Sequence, residues 1–140
     1  MTAAKVPRGI RNHNPGNIRR THTIWRGMKP DQSADAAFVV FTEPLWGLRA
    51  LGRVLRTYYD LYHCRSVAAI LRRYAPPTEN ATDAYIAAVA KRLGVTADAE
   101  LPRTPETWVR LMQAIVCHEN GVGEVYPPAL YLSAATLALD

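Results

Sequence analysis

Residues 108 to 121 read Trp-Val-Arg-Leu-Met-Gln-Ala-Ile-Val-Cys-His-Glu-Asn-Gly, and no other segment constrains the fold as much. Trp108, Leu111, Met112, Ile115 and Val116 recur at the spacing of one helical face, so this helix has to be packed against partners. Thr104 suits an N-cap, Pro105 the first helical position and Gly121 the stop. The last turn carries a carboxylate, Glu119. At the negative end of a helix dipole, next to apolar side chains, a carboxyl is harder to ionise and keeps its proton closer to neutral pH. Such a group can protonate a leaving oxygen.

The partners are legible upstream and downstream. From Pro44 to about Asp60 the residues Leu48, Leu51, Leu55, Tyr58 and Tyr62 predict a helix, with Pro44 in its first turn. Ser66 caps a shorter helix through Arg73, which Pro76-Pro77 ends. Asn80 or Thr82 caps the next, where Tyr85, Ile86, Val89, Ala90 and Leu93 form the apolar face and Gly94 stops the run. A last helix spans about Pro128 to Leu139.

The N-terminal part reads differently. Residues 7 to 30 hold a density of Pro, Gly and Asn that argues for an ordered, irregular segment without a helix. Ala37-Phe-Val-Val-Phe41 predicts a short strand, and Ile24-Trp25 offers it a hairpin partner. The expected fold is therefore mainly α, of α+β type, in one domain over residues 1–140. Residues 1–43 form a loop and short β segment with a small hairpin, and residues 44–140 the helical part.

A chain of 140 residues fits one domain of about 100–150 residues. No segment offers the roughly 18 continuous apolar residues of a membrane span, and the N-terminus lacks the apolar core of a secretory signal. The expectation is a cytoplasmically made, soluble monomer with no stable membrane insertion. Cys64 and Cys117 make no disulfide framework and read as buried small apolar residues. The net charge of +5 and a pI near 9.5 favour a polyanionic partner, whether nucleic acid, membrane surface or wall polymer. The arginines are scattered rather than gathered in one block, and no recognition helix stands out, so nucleic acid is not the expected partner.

Two carboxylates sit at helix boundaries where a cleft could open, Glu119 and Glu79. A glutamate at a helix start stays ionised and one at a helix end resists ionisation, a separation that allows base and acid roles at one pH. The plain alternatives are a helix-end carboxylate bonded to a nearby Arg or amide for Glu119, and an N-terminal cap for Glu79. Asn80, Thr82 and Tyr85 add polar groups on turns adjacent to Glu79. Cys117 and His118 are sequence neighbours that point to different helix faces, which opposes a Cys-His nucleophile. His13, His22, His63 and His118 lie on separate elements without ligand spacing, so no metal and no cofactor is expected.

Arg8-Gly-Ile-Arg-Asn-His-Asn-Pro-Gly-Asn-Ile-Arg19, then Trp25-Arg-Gly27, Phe38-Val-Val-Phe41 and Trp46-Gly-Leu-Arg-Ala50, in that order, resemble a group of phage and prophage proteins of lysozyme-like type. The stretch from Tyr74 to Tyr85 and the late His118-Glu-Asn-Gly121 fit the same group. His13 stands where a third asparagine is expected, and Tyr74 where a tryptophan before Ala-Pro is usual. In muramidases of the lysozyme superfamily the acid-bearing helix comes first and the Asn-rich and Trp-x-Gly segments follow. Here the order is reversed, which implies a circularly permuted lysozyme-like domain with the N-terminal Asn-rich loop beside Glu119.

The resemblance implies a peptidoglycan-degrading glycosidase, a muramidase or lytic transglycosylase, that cleaves the β-1,4 bond between N-acetylmuramic acid and N-acetylglucosamine. Its partner would be the peptidoglycan glycan strand. Glu119 would be the general acid and Glu79 the base, nucleophile or transition-state stabiliser, with Asn14, Asn17, Thr82 and Tyr85 contacting sugar. Reaching the periplasm or cell wall would need a holin, a virion or a secretion apparatus. The alternatives are a non-catalytic virion structural protein that keeps the fold and a basic nucleic-acid-binding helical domain.

Overall fold

A computed structural model describes residues 6–76 and 81–140. The described chain is mainly helical, with α1 (Arg8–Arg11), α2 (Pro44–Leu61), α3 (Val67–Tyr74), α4 (Thr82–Leu93), α5 (Pro105–Asn120) and α6 (Pro128–Leu139). Local chemistry sets most of the boundaries. The Ser66 hydroxyl accepts from the Ala69 amide at 3.2 Å, and the Thr104 hydroxyl accepts from the Thr107 amide at 3.3 Å. Pro44, Pro105 and Pro128 open their helices, and Gly94 and Gly121 end theirs in the left-handed conformation.

The main core forms where α2, α5 and α6 meet, with α3 and α4 against them. Trp108 is fully buried there, its indole N–H donating to the Gly52 carbonyl at 3.1 Å and its ring edge-on to Tyr59 at 5.5 Å between centroids. Truncating such a residue to alanine costs about 3–5 kcal/mol. On α6 the buried positions include Ala134, Ala135 and Ala138, whose small side chains let α2 approach closely. A second cluster of Val39, Phe41 and Ala50 sits under the N-terminal segment, and Ile18 packs against both clusters.

Four expectations are corrected. Residues 7–30 contain one helical turn, α1, in which the amides of Arg11 and Asn12 donate to the carbonyls of Pro7 and Arg8 at 2.9 Å. The run Ala37–Phe41 forms no hairpin with Ile24-Trp25, only isolated antiparallel bridges of Phe38 with Arg19 and of Phe41 with Met28. Its hydrogen bonds are divided among several segments. The Val39 amide donates to Ile18 and the Phe41 amide to Asn12, while the Gln32 carboxamide bonds both the amide and the carbonyl of Val40. Ile24 is left 89% exposed, so it has no apolar reason to pair.

The third correction is at α4, whose N-cap is Ala81 with no side-chain cap. Thr82 is the first helical residue, and its hydroxyl donates to the Ala75 carbonyl at 2.5 Å. Asn80 lies outside the described residues. The fourth is that Cys64 and Cys117 are free but only half-buried, because Cys64 follows the end of α2 and Cys117 faces the exposed Glu124 at 3.9 Å. No helix among the described residues is long and apolar enough to cross a membrane.

Candidate functional site

Glu119 lies in the last turn of α5, two residues before the glycine that ends it. It is half-buried, and its carboxyl lines a cleft of about 470 Å³ together with Gly16, Asn17, Ile18, Phe38, Tyr58 and Tyr74. Among the described residues no other carboxylate lines this cleft. Burial raises the pKa of Glu119, opposed in part by a hydrogen bond from Tyr85. The C-terminal end of the α5 dipole works in the same direction as burial.

The wall behind the acid is aromatic. Tyr85, on α4, is 1% exposed and stacks on the His118 ring at 3.7 Å between centroids. Its hydroxyl interacts with the Glu119 carboxyl, yet no hydrogen bond of full geometry satisfies it among the described residues. Burial and then the neighbouring Glu119 charge raise the pKa of Tyr85. Tyr74, at the end of α3, is raised well above its ordinary value by the same two causes, and its hydroxyl donates to the Gly16 carbonyl. Both phenols therefore stay protonated, Tyr74 with its proton on the Gly16 carbonyl and Tyr85 with its hydroxyl beside the acid.

The opposite wall comes from the N-terminal loop. Asn120, next to the acid, donates from its side-chain amide to the Pro15 carbonyl at 2.8 Å and to the Val116 carbonyl at 2.9 Å. This close approach needs Gly9, where a Cβ would stand 2.5 Å from Asn120 Oδ1 and 2.8 Å from Asn17 Oδ1. Asn17 adopts a left-handed conformation (φ 51°), which turns the loop at the cleft. The Asn-rich loop thus stands beside the helix end that carries Glu119.

The structure separates the proposed site residues. Glu119 and Asn17 line the cleft, with Tyr85 buried behind the acid. Asn14 is fully buried, its amide donating to Ile18 and Val39 and its oxygen accepting from Ile18, so it orders the loop and has no free edge for a sugar. Thr82 is also buried and ties the start of α4 to the end of α3. Glu79 lies outside the described residues. Among the described residues no group of His, Cys, Asp and Glu is placed to hold a metal ion.

Sequence reasoning missed Tyr58, Tyr74, Phe38 and Arg19 as cleft residues. Tyr58 had a signal, since it and Tyr62 stand four residues apart and so share one side of α2. The cleft continues into a wider hollow of about 860 Å³, sharing Ile18, Arg19, Thr21, Val54 and Tyr58 with it and adding Trp25, Arg53, Tyr62 and Arg73. Together they make a groove with the acid at one end and an aromatic, cationic arm at the other.

No family model matches the chain. Protein P5 of Pseudoalteromonas phage PM2 is similar to it, 37% identical over 120 residues that cover 84% of this chain and 73% of that protein.

Proposed function

We propose that this chain, which belongs to the family of Protein P5 of Pseudoalteromonas phage PM2, is a peptidoglycan-cleaving glycosidase with a permuted lysozyme-like fold. The observation that carries the reading is Glu119, a half-buried carboxyl with a raised pKa at the head of an open groove. A groove, unlike a closed pocket, suits a polymer that enters from the side.

Glu119 donates its proton to the glycosidic oxygen as the bond to the muramyl carbon breaks. Tyr85, whose hydroxyl faces the carboxyl, steadies the glutamate left after proton transfer. Asn17 stands in the cleft wall beside Tyr58 and Phe38, where the sugar rings would lie. The second role belongs either to Glu79 with water or to the muramyl 6-hydroxyl, which gives a 1,6-anhydro end.

Mass spectrometry of digested wall material tests the reading. Wild type should release fragments cut between the two sugars, and Glu119→Gln, folded as wild type, should release none above background. Anhydro-muropeptides would assign transglycosylation and reducing ends hydrolysis. Equal release by both proteins would remove Glu119 from the mechanism.

A further inference from the structure

The far arm of the groove has a charge arrangement that cleavage at Glu119 does not require. Arg19, Arg53 and Arg73 line the arm and Arg19 also borders the cleft, yet no carboxylate lines the arm among the described residues. The ion pairs of the described residues involve Arg8, Arg56, Arg65, Arg92 and Arg103, and none of these three. Two of the three are held instead by aromatic rings. Arg19 sits over Phe38 at 5.0 Å, and Arg73 over Tyr62 at 3.5 Å and Tyr58 at 5.4 Å. Stacking uses the flat face of a guanidinium and leaves its N–H edge for an acceptor.

The crowding extends behind the arm. Arg49, one turn before Arg53 on α2, has a buried Nε with no partner among the described residues, and burial together with the charges of Arg53 and Arg26 lowers its pKa. Arg26 itself stacks on Trp46 at 4.7 Å. Like charges gathered without an acid destabilise one another, and an anion seated among them relieves the repulsion.

We propose that Arg19 and Arg73 bind the carboxylates of the peptide stems on a wall glycan seated in the groove, beside Arg53, which donates to the Ala138 carbonyl at 3.4 Å. This inference rests on the glycosidase reading. A strand positioned with its scissile bond at Glu119 runs along the groove, and its stems, attached to muramic acid, bring carboxylates spaced along the strand. Bidentate guanidinium contacts to those groups would select peptide-bearing strands over bare ones.

The test reads binding without turnover. Glu119→Gln protein, with and without Arg19→Gln and Arg73→Gln, is titrated against insoluble sacculi and against sacculi stripped of stems by an amidase. Both arginines are exposed, so the variants should fold. The double change is expected to raise Kd on peptide-bearing walls about tenfold and on stripped walls less than about twofold, with the difference fading at high salt. An equal change on both walls overturns the assignment, because amidase hydrolysis of the lactyl–stem amide leaves a newly freed lactate carboxylate on each stripped muramic acid. No change on either wall overturns it as well. If wild type binds with this preference but cuts nothing, the glycosidase reading fails and the carboxylate site stands.

Discussion

The side-chain amide of Asn120 donates to the backbone carbonyl of Pro15 at 2.8 Å, across 105 positions of sequence. It fastens the end of the acid-bearing helix to the N-terminal loop. Asn120→Ala should cost about 1 kcal/mol, read as a fall of several degrees in Tm. The loop that carries Asn17 would lose one of its tethers and keep the bond from Tyr74 to Gly16, so KM for wall material should rise more than kcat falls. A kcat loss with KM unchanged would count against a positioning role.

Glu119→Gln should lower wall clearing by about 10²–10⁴-fold, the usual worth of a positioned acid. The wild-type rate should fall as pH rises through a value above the ordinary glutamate range, since the active form is protonated. Stability runs in the same direction. The folded chain holds this proton where the unfolded chain has lost it, so stability falls with rising pH between the ordinary and the raised pKa. A glutamine at this position carries no such proton, and thermal unfolding of the variant across about pH 4–8 should be flatter than that of wild type.

Tyr85→Phe removes a hydroxyl that lowers the Glu119 pKa. The carboxyl should then hold its proton to higher pH, and the alkaline limb of the activity profile should move up. Folding stability should change by less than about 1 kcal/mol, because the hydroxyl has no full hydrogen bond to lose. An alkaline limb that stays in place would separate Tyr85 from the acid.

Asp35 supports the loop from the other side. Asn12 and the amides of Ala37 and Phe38 donate to its carboxyl, Arg8 lies 3.3 Å away, and together they hold its pKa down to about 2. A carboxyl lowered on folding stabilises above its ordinary range, and that contribution is lost as pH falls toward about 2. Asp35→Asn should therefore be less stable than wild type at neutral pH, and the gap should close on acidification. A gap that persists at a pH of about 2 would mean the loss is packing rather than charge.

Gly47 lies inside α2, where alanine normally favours the helix by about 1 kcal/mol. Here a Cβ would stand 1.9 Å from the His13 carbonyl oxygen. Gly47→Ala should destabilise by about 1–3 kcal/mol, because the loop must shift to admit the methyl group. Urea unfolding measures it, and a stabilised variant would show that the loop yields freely.

Much of the helical frame was legible because its signals are local. Ser66 and Thr104 cap as their hydroxyls suggest, prolines open three helices, and glycines stop two. The N-terminal segment was harder, since its bonding is not periodic. A strand signal at Ala37–Phe41 depends on a partner strand, and the partners turned out to be a glutamine side chain and carbonyls from separate loop turns. Asn14 and Asn17 look alike in sequence, but one is spent inside the loop and the other lines the cleft.

The sequence by itself determined the longer helices α2 to α6, most of their ends and the helix-end placement of Glu119, because capping, dipole and apolar spacing act within one or two turns. Only the tertiary structure decided that Gly9 and Asn120 bring the loop against that helix end and that Tyr85 lies behind the acid. It also decided that arginines with no carboxylate partner among the described residues line one arm of the groove. Those facts depend on which faces pack across distant stretches of chain, and on how much water that packing removes from one carboxyl.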